Sequence, residues 1–479
     1  MDRRTFLRLL GLTTSTAFFP WPLRAVAHLR RDWLRRADFG PDFVWGVATS
    51  AYQIEGAARE DGRGPSIWDT FSHRKGKIKG GANADITCDF YHRYAQDLQL
   101  LRDLHFNAFR FSVAWARLLP QGTGQVNPKG LDFYHRVIDK CLELGINPWL
   151  TLYHWDLPQA LEDRGGWTNR DIVGWFADYA DVCTRAYGDR VKHWMVLNEP
   201  LVFTAAGYFA GFHAPGRKGL KNFLPAVHHA ALCQAEGGRV IRQNVAQAIV
   251  GTTFSCSPVD SATAREKDIK AARRFDILFN RLFVEPALGM GYPTEGFEAL
   301  KKIGKYMQAG DDKRLRFDFD FIGLQNYFRT VARKAMFPPY LWAKEVPPAK
   351  RGVAADDITE MGWEVYPEGI YRIIRQFAAY PGVKRLVITE NGAAFPDEYT
   401  GQAVPDARRM RFYQQYLAQV LRAKREGAPV NGYFAWTLTD NFEWAEGYRP
   451  RFGLVYVDFA TQQRVVKDSG RWFQTFLAE

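Results

Sequence analysis

Leu386-Val-Ile-Thr-Glu-Asn-Gly392 is an apolar run that breaks off in a carboxylate and then turns on a glycine. The pattern describes a strand buried on both faces, as parallel sheets require, delivering one acid to the sheet's C-terminal end. Val191-Lys-His-Trp-Met-Val-Leu-Asn-Glu-Pro200 repeats the design and ends in Glu199. A single Glu at a strand end is ordinarily a solvated loop residue. Two on matching strands point to paired-carboxylate chemistry, for which acetal cleavage is the leading case.

Outward from these two stretches, strand-like runs recur at residues 44–49, 108–113, 148–153, 194–198, 248–253, 321–326, 386–390 and 432–437. Amphipathic helical runs lie between them, at 91–104, 131–144, 172–187, 225–243 and 407–426. Eight strands alternating with helices predict an α/β fold of the (β/α)8 TIM-barrel kind rather than an open doubly wound sheet. No low-complexity linker interrupts residues 39–479, so they read as a single domain. Residues 328–363 are proline-bearing and aperiodic, which predicts a long βα loop over the barrel mouth.

Barrel enzymes build their sites at the C-terminal strand ends. Here Gln53 follows the first strand and Arg110 lies on the second. His154 follows the third, and Asn198 and Glu199 close the fourth. Asn326 and Tyr327 close the sixth, Glu390 the seventh, and Trp436, Glu443 and Trp444 follow the eighth. Taken singly, His154 reads as a satisfied core histidine, Asp156 as a helix cap and Arg110 as a partner for any buried acid. Those readings do not explain why all of them converge on one mouth. Acetal cleavage needs one carboxyl protonated and the other ionised, so their surroundings must differ. Arg110 is expected to keep Glu390 ionised by proximity of opposite charge, with Tyr327 donating to the same carboxylate. Asn198 suits a sugar 2-hydroxyl, and Gln53, His154 and Glu443 suit the others. Trp436 suits the apolar face of the ring.

The chain carries a formal net charge of +12 and 15% aromatic residues, with 15 Trp. Charges of both signs alternate along the helical runs, which describes a solvated surface and not a nucleic-acid footprint. The five cysteines, Cys88, Cys141, Cys183, Cys233 and Cys256, are odd in number and widely spaced. They read as buried thiols, with neither a disulfide framework nor a CxxC metal pair. The 10 His show no HxxxH or HxH spacing, and the adjacent His228 and His229 diverge on a helix. No metal or cofactor is therefore expected.

At the N-terminus, Asp2-Arg-Arg-Thr-Phe-Leu-Arg8 precedes a short apolar stretch, a Pro-Trp-Pro turn and Ala25-Val-Ala27. This is the layout of an export leader, residues 1–27, of the twin-arginine type, with the periplasm as the expected destination. The apolar stretch is too short for a stable membrane span. Residues 28–38 read as a basic linker.

Six motifs occur in order: residues 48–56 (ATSAYQIEG), 62–69 (GRGPSIWD), 153–158 (YHWDLP), 197–200 (LNEP), 388–392 (ITENG), and Trp436 with 440–444 (DNFEW). With them the sequence resembles glycoside hydrolase family 1, the β-glucosidase family, from about Phe39 to the C-terminus. The resemblance implies a retaining double displacement with Glu199 as acid/base and Glu390 as nucleophile. It implies that Gln53, His154, Asn198, Glu443 and Trp444 hold the non-reducing sugar on a Trp436 platform. Asn326 and Tyr327 match the family's site pattern, and Trp363 matches its aglycone-side tryptophan. The resemblance implies no cofactor.

Thioglucosidases of the myrosinase type replace the acid/base with Gln, whereas Glu199 is intact. Phospho-glycosidases carry a Ser/Lys arrangement near Glu443, and a carboxylate there repels a 6-phosphate. Phe328 stands where a second Tyr is common, and Thr439 where relatives vary. The expected activity is a β-glucosidase acting on short β-glucosides. Broad β-galactosidase/β-fucosidase action or transglycosylation are same-family alternatives. A non-catalytic sugar-binding protein would have lost one of the two Glu residues, and both are present.

Overall fold

The computed structural model describes residues 34–336 and 340–479. The expected leader and most of the basic linker lie outside the described residues. The linker's last residues enter a 3-10 turn, Arg36–Phe39, whose Phe39 packs edge-on against Trp45 (4.8 Å) and Phe476 (6.4 Å).

Eight strands form the core: β1 Val44–Ala48, β2 Ala108–Ser112, β3 Asn147–Tyr153, β4 His193–Asn198, β5 Ile249–Ser255, β6 Phe321–Gln325, β7 Leu386–Asn391 and β8 Val430–Trp436. Each runs parallel to the next in chain order, and β8 pairs with β1 to close the barrel. Ala48 faces Arg110 on one side and Trp436 on the other, which brings the C-terminal ends level at one mouth. The strands are apolar and almost wholly buried, as a sheet covered on both faces requires. The opposite end is plugged by aromatic packing, with Trp149 stacked on His193 at 4.2 Å and 5.0 Å from Phe434. The bounds differ from the sequence reading by no more than two residues.

Helices Phe90–Asp103, Pro128–Glu143, Ile172–Tyr187, Leu220–Asn244 and Ala407–Arg425 account for the expected amphipathic runs. Leu220–Asn244 begins well before the expected start at Pro225, because burial of Phe223 and Leu224 carries the helix through the proline's missing donor. The stretch 328–363 is not all loop. Thr330–Lys334 pairs antiparallel with Ala343–Glu345 and parallel with Val259–Ser261, forming a small sheet beside the barrel. These strands are too short for their alternation to register as a period.

The segments that follow β7 and β8 are tied together by a buried ionic cluster. Lys467 Nζ bridges Asp397 (2.5 Å) and Asp440 (2.8 Å). Arg409 pairs with Asp397 (3.1 Å) and with Asp406, and Arg451 pairs with Asp440 (2.9 Å). Removing one partner from such a cluster strands a buried charge. Lys467→Met is therefore expected to destabilise the fold by about 3–5 kcal/mol, read as a lower urea midpoint. Lys301→Met, which breaks only the exposed pair with Glu298, leaves that midpoint nearly unchanged.

Candidate active site

Both strands that deliver a carboxylate lose regular pairing just before it. β4 shifts register against β5 between Met195 and Asn198, and β7 shifts against β6 between Ile388 and Glu390. Such irregularities bend a strand and re-aim its side chains. Glu199 then adopts a left-handed backbone (φ 45°), with its N–H donating to the Thr253 carbonyl at 3.0 Å. Trp155 (φ 77°) and Trp444 (φ 47°) share that uncommon conformation. Beyond Glu390, Gly392 has to be glycine, because a Cβ there would lie 2.1 Å from the Trp436 carbonyl oxygen.

These turns surround a cavity of about 800 Å³, open mouth included, lined by Glu199, Glu390, His154, Tyr327, Trp363, Trp436, Glu443 and Trp444 among others. Gln53, Arg110, Asn198 and Asn326 lie one layer behind. Gln53 accepts from Ser50 (2.7 Å) and donates to Asn441 (3.1 Å), the Phe442 carbonyl (3.0 Å) and Glu443 (3.4 Å). Asn326 spends its amide hydrogens on the carbonyls of Cys256 (2.9 Å) and Phe328 (3.2 Å), so its amide group shapes the backbone beside the cavity.

Arg110 is fully buried and organises the floor. Its Nη1 donates to Glu390 Oε1 and its Nη2 to Asn198 Oδ1 (2.5 Å). Tyr327 donates to the other Glu390 oxygen at 2.6 Å. Asn198 Oδ1 also accepts from Gln325 (2.7 Å) and Thr253 (3.0 Å), which fixes the amide orientation. Its Nδ2 therefore faces His154 and donates to Nε2 at 2.9 Å. The His154 proton must then sit on Nδ1, which has no protein partner among the described residues. Burial and the nearby Arg110 hold the imidazole well below its ordinary pKa, so it is neutral.

The two carboxyls differ in what opposes their burial. Desolvation raises both. Glu199 is pushed well up by burial and then by the Glu390 charge, with Ser255 and then Arg110 pulling the other way. Glu390 is opposed by Arg110 and by Tyr327, so it is the member of the pair that ionises. Glu443, partly open to the cavity, is pushed up to about 8 by desolvation and by Glu446 and Glu390.

The cavity also contains residues that sequence reasoning did not single out, among them Trp155, Ser255, Phe212, Met361, Glu446 and Phe452. Trp155 sits inside a quoted motif and Glu446 two residues beyond one, so both had a signal in their neighbours. Asp156 does not cap a helix, since Pro158 is the residue that precedes Gln159–Asp163. Its buried carboxyl finds no hydrogen-bond partner among the described residues, and burial pushes it up to about 8.

Opposed protonation of two neighbouring carboxyls at the mouth of a parallel barrel is what acetal cleavage requires, and it places the molecule among the glycoside hydrolases. Comparison with known proteins narrows the class. The pattern described as glycosyl hydrolase family 1 matches residues 35–479, and the chain belongs to that family. It is 43% identical over 442 residues to the 1,4-beta-D-glucan glucohydrolase of Thermotoga neapolitana, covering 92% of this chain and 98% of that protein. It is 40% identical over 459 residues to the bifunctional beta-D-glucosidase/beta-D-fucosidase of Bifidobacterium breve, covering 92% and 98%. Among solved structures it is similar to the beta-glucosidase from Thermotoga maritima in complex with glucoimidazole. That match has a TM-score of 0.86 and 42% identity, over 91% of this chain and 98% of that one.

Because the Glu390 charge raises Glu199, neutralising it must lower Glu199. In Glu390→Gln the Glu199 carboxyl is expected to titrate at a lower pH than in the unaltered protein. Carbon-13 NMR of glutamate-labelled protein measures the shift, and an unchanged titration contradicts the coupling.

Proposed function

We propose that the protein is a retaining β-glucosidase that removes terminal non-reducing β-D-glucosyl residues from short β-glucosides. The observation that carries this reading is the asymmetry of the two acids. Arg110 and Tyr327 hold Glu390 as a carboxylate, while Glu199, buried beside it, keeps its proton.

In the first step the Glu390 carboxylate attacks the anomeric carbon, and Glu199 gives its proton to the departing glycosidic oxygen. The product is a glycosyl ester on Glu390. Conversion of Glu390 to an ester removes the charge that raised Glu199, which suits Glu199 to act as base. It takes a proton from the attacking water, the ester bond breaks, and glucose leaves with its β configuration retained. Asn198 and His154 form one polar pair for the ring hydroxyls, and Gln53 and Glu443 form a second.

Action on β-fucosides is a second reading. The Gln53–Glu443 pair offers both a donor and an acceptor, and the Bifidobacterium relative bears that name. Export to the periplasm by a twin-arginine leader is proposed on the Arg3-Arg4 pair and the Ala25-Val-Ala27 site alone. Among the described residues no helix is long and apolar enough to cross a membrane.

The test is hydrolysis of aryl β-gluco-, β-galacto-, β-fuco- and 6-phospho-β-glucosides. Turnover of the glucoside with initial release of the β-anomer is expected, with no turnover of the 6-phosphate. Glu390→Ala abolishes the reaction. Glu199→Ala lowers it by about 10²–10⁴-fold on poor leaving groups and less on good ones, because only the former need the proton. Binding of glucose without turnover of any substrate would sink the reading.

A further inference from the structure

Six large apolar or aromatic side chains stand well exposed among the described residues. Ile86, Leu142 and Met290 are scattered along the chain. Met336, Tyr340 and Trp342 fall together, 79%, 46% and 48% exposed. Single exposed side chains are ordinary, but a cluster marks a contact surface. These three lie where Thr330–Lys334 turns back into Ala343–Glu345, at the turn end of the small sheet.

The backbone there is anchored. Leu341 is buried in an apolar cleft with Phe209, Phe223 and Phe297. The Arg274 guanidinium donates to the carbonyls of Leu341 (2.6 Å) and Trp342 (3.2 Å). Arg274 belongs to the helix Glu266–Asp276, which buries Ala271, Ala272 and Phe275 and leaves Lys267, Lys270 and Arg273 exposed. The hairpin adds Arg333, Lys334 and Lys344, all exposed, with Arg333 directly opposite Lys344 across the strand pair. Like charges so placed repel, and an anion laid over them relieves the repulsion.

The carboxylates of these elements do little to offset that charge. Glu266 pairs with Lys270 at 2.7 Å. Asp268 is buried and accepts from Thr263 (2.6 Å) and the Lys334 N–H (2.8 Å). Asp276 accepts from Asn280 (2.8 Å) and Gln376 (3.0 Å), and Glu345 is buried. The outer face is therefore cationic around an apolar and aromatic centre.

That charge selects the partner. A symmetric second copy would bring the same cations face to face. A nucleic-acid strand needs a groove that tracks its backbone, whereas a hairpin turn is convex, and the Met336 thioether offers no ring on which a base could stack. A bilayer surface suits both parts of the patch. Trp and Tyr settle at headgroup level, and Lys and Arg beside them are drawn to anionic headgroups.

We propose that this patch docks the protein on an anionic lipid bilayer, with Met336, Tyr340 and Trp342 entering the headgroup layer and the surrounding cations facing lipid phosphates. Docking of this kind is independent of the chemistry in the barrel mouth.

The five native cysteines are buried, so Met336→Cys can be labelled selectively with an environment-sensitive fluorophore. Vesicles of equal parts phosphatidylglycerol and phosphatidylcholine are expected to shift the label's emission to the blue, and concentrated salt to reverse the shift. Pure phosphatidylcholine vesicles and single-stranded DNA leave the emission unchanged. The unlabelled protein is expected to sediment with the anionic vesicles. Arg333→Glu combined with Lys344→Glu weakens that binding by about tenfold or more. So does Lys267→Glu combined with Arg273→Glu, on the helix, where no strand pairing is at stake. An unchanged urea midpoint separates lost docking from a lost fold. The inference is overturned by no shift on anionic vesicles, an equal shift on neutral ones, a shift caused by DNA or by raising the protein concentration alone, or vesicle binding that survives both charge reversals.

Discussion

One buried guanidinium sets the terms for the rest of the site. Arg110 has no exposed surface, and it reaches acceptors on two other strands: Asn198 and Met195 on β4, Glu390 and the Thr389 carbonyl on β7. A cation so placed must have a counter-charge. The carboxylate it touches is Glu390. The ionised state of Glu390 is therefore a condition of burying Arg110. Once Glu390 is charged, a second carboxylate beside it is disfavoured, and Glu199 holds its proton. The same guanidinium orients Asn198, which in turn fixes the His154 tautomer. The charge of Glu390, the proton on Glu199 and the tautomer of His154 thus all follow from one residue on a strand that carries none of them.

The remaining carboxyls extend this logic toward the rim. Glu446 is matched from outside the cavity by Lys79 and, at 3.7 Å, by Arg449. Glu443 has Gln53 and no salt-bridge partner among the described residues, and its pKa rises to about 8. A carboxyl raised in this way accepts from a hydroxyl when ionised and also donates to one when protonated. A site for a polyol gains from such groups, because each hydroxyl is itself both donor and acceptor. The acids around the cavity thus differ in their surroundings: Arg110 faces Glu390 and Lys79 faces Glu446, while Glu443 has Gln53.

Much of this was legible in the sequence, for a physical reason. A strand buried on both faces is an unbroken apolar run, so any polar residue that ends it stands out. Glu199, Glu390, His154 and Arg110 were found in that way. The helices Glu266–Asp276 and Glu368–Ala378 were not singled out although both are amphipathic, with Ile370, Ile373, Ile374 and Phe377 of the second buried on one face, whereas the strands of the small sheet at Thr330–Lys334 are too short to show a period. Phe212, Met361 and Phe452 were invisible for another reason. Each is an ordinary apolar residue in a loop, and only the folding of the 199–213, 359–363 and 447–453 segments over one mouth makes them neighbours. The left-handed turns at Trp155, Glu199 and Trp444 carry no glycine to announce them.

Those unannounced turns raise the question of what holds the mouth in shape. A barrel core of apolar side chains fixes strand positions but not the loops beyond them. The ionic cluster supplies that restraint. Asp397 lies seven residues past Glu390, and Asp440 lies three before Glu443. Lys467 bridges the two, while Arg409 adds the carbonyls of Ala393 (3.1 Å) and Arg451 (2.7 Å) to its carboxylates. Because the cluster is buried, its pairs are little screened by water and have few alternative partners, so they specify one geometry more than they add net stability. The chain after the ionised acid and the chain bearing Glu443 and Trp444 are thereby locked to each other. The C-terminal segment that supplies Lys467, remote in sequence from either acid, becomes part of how the cavity keeps its form.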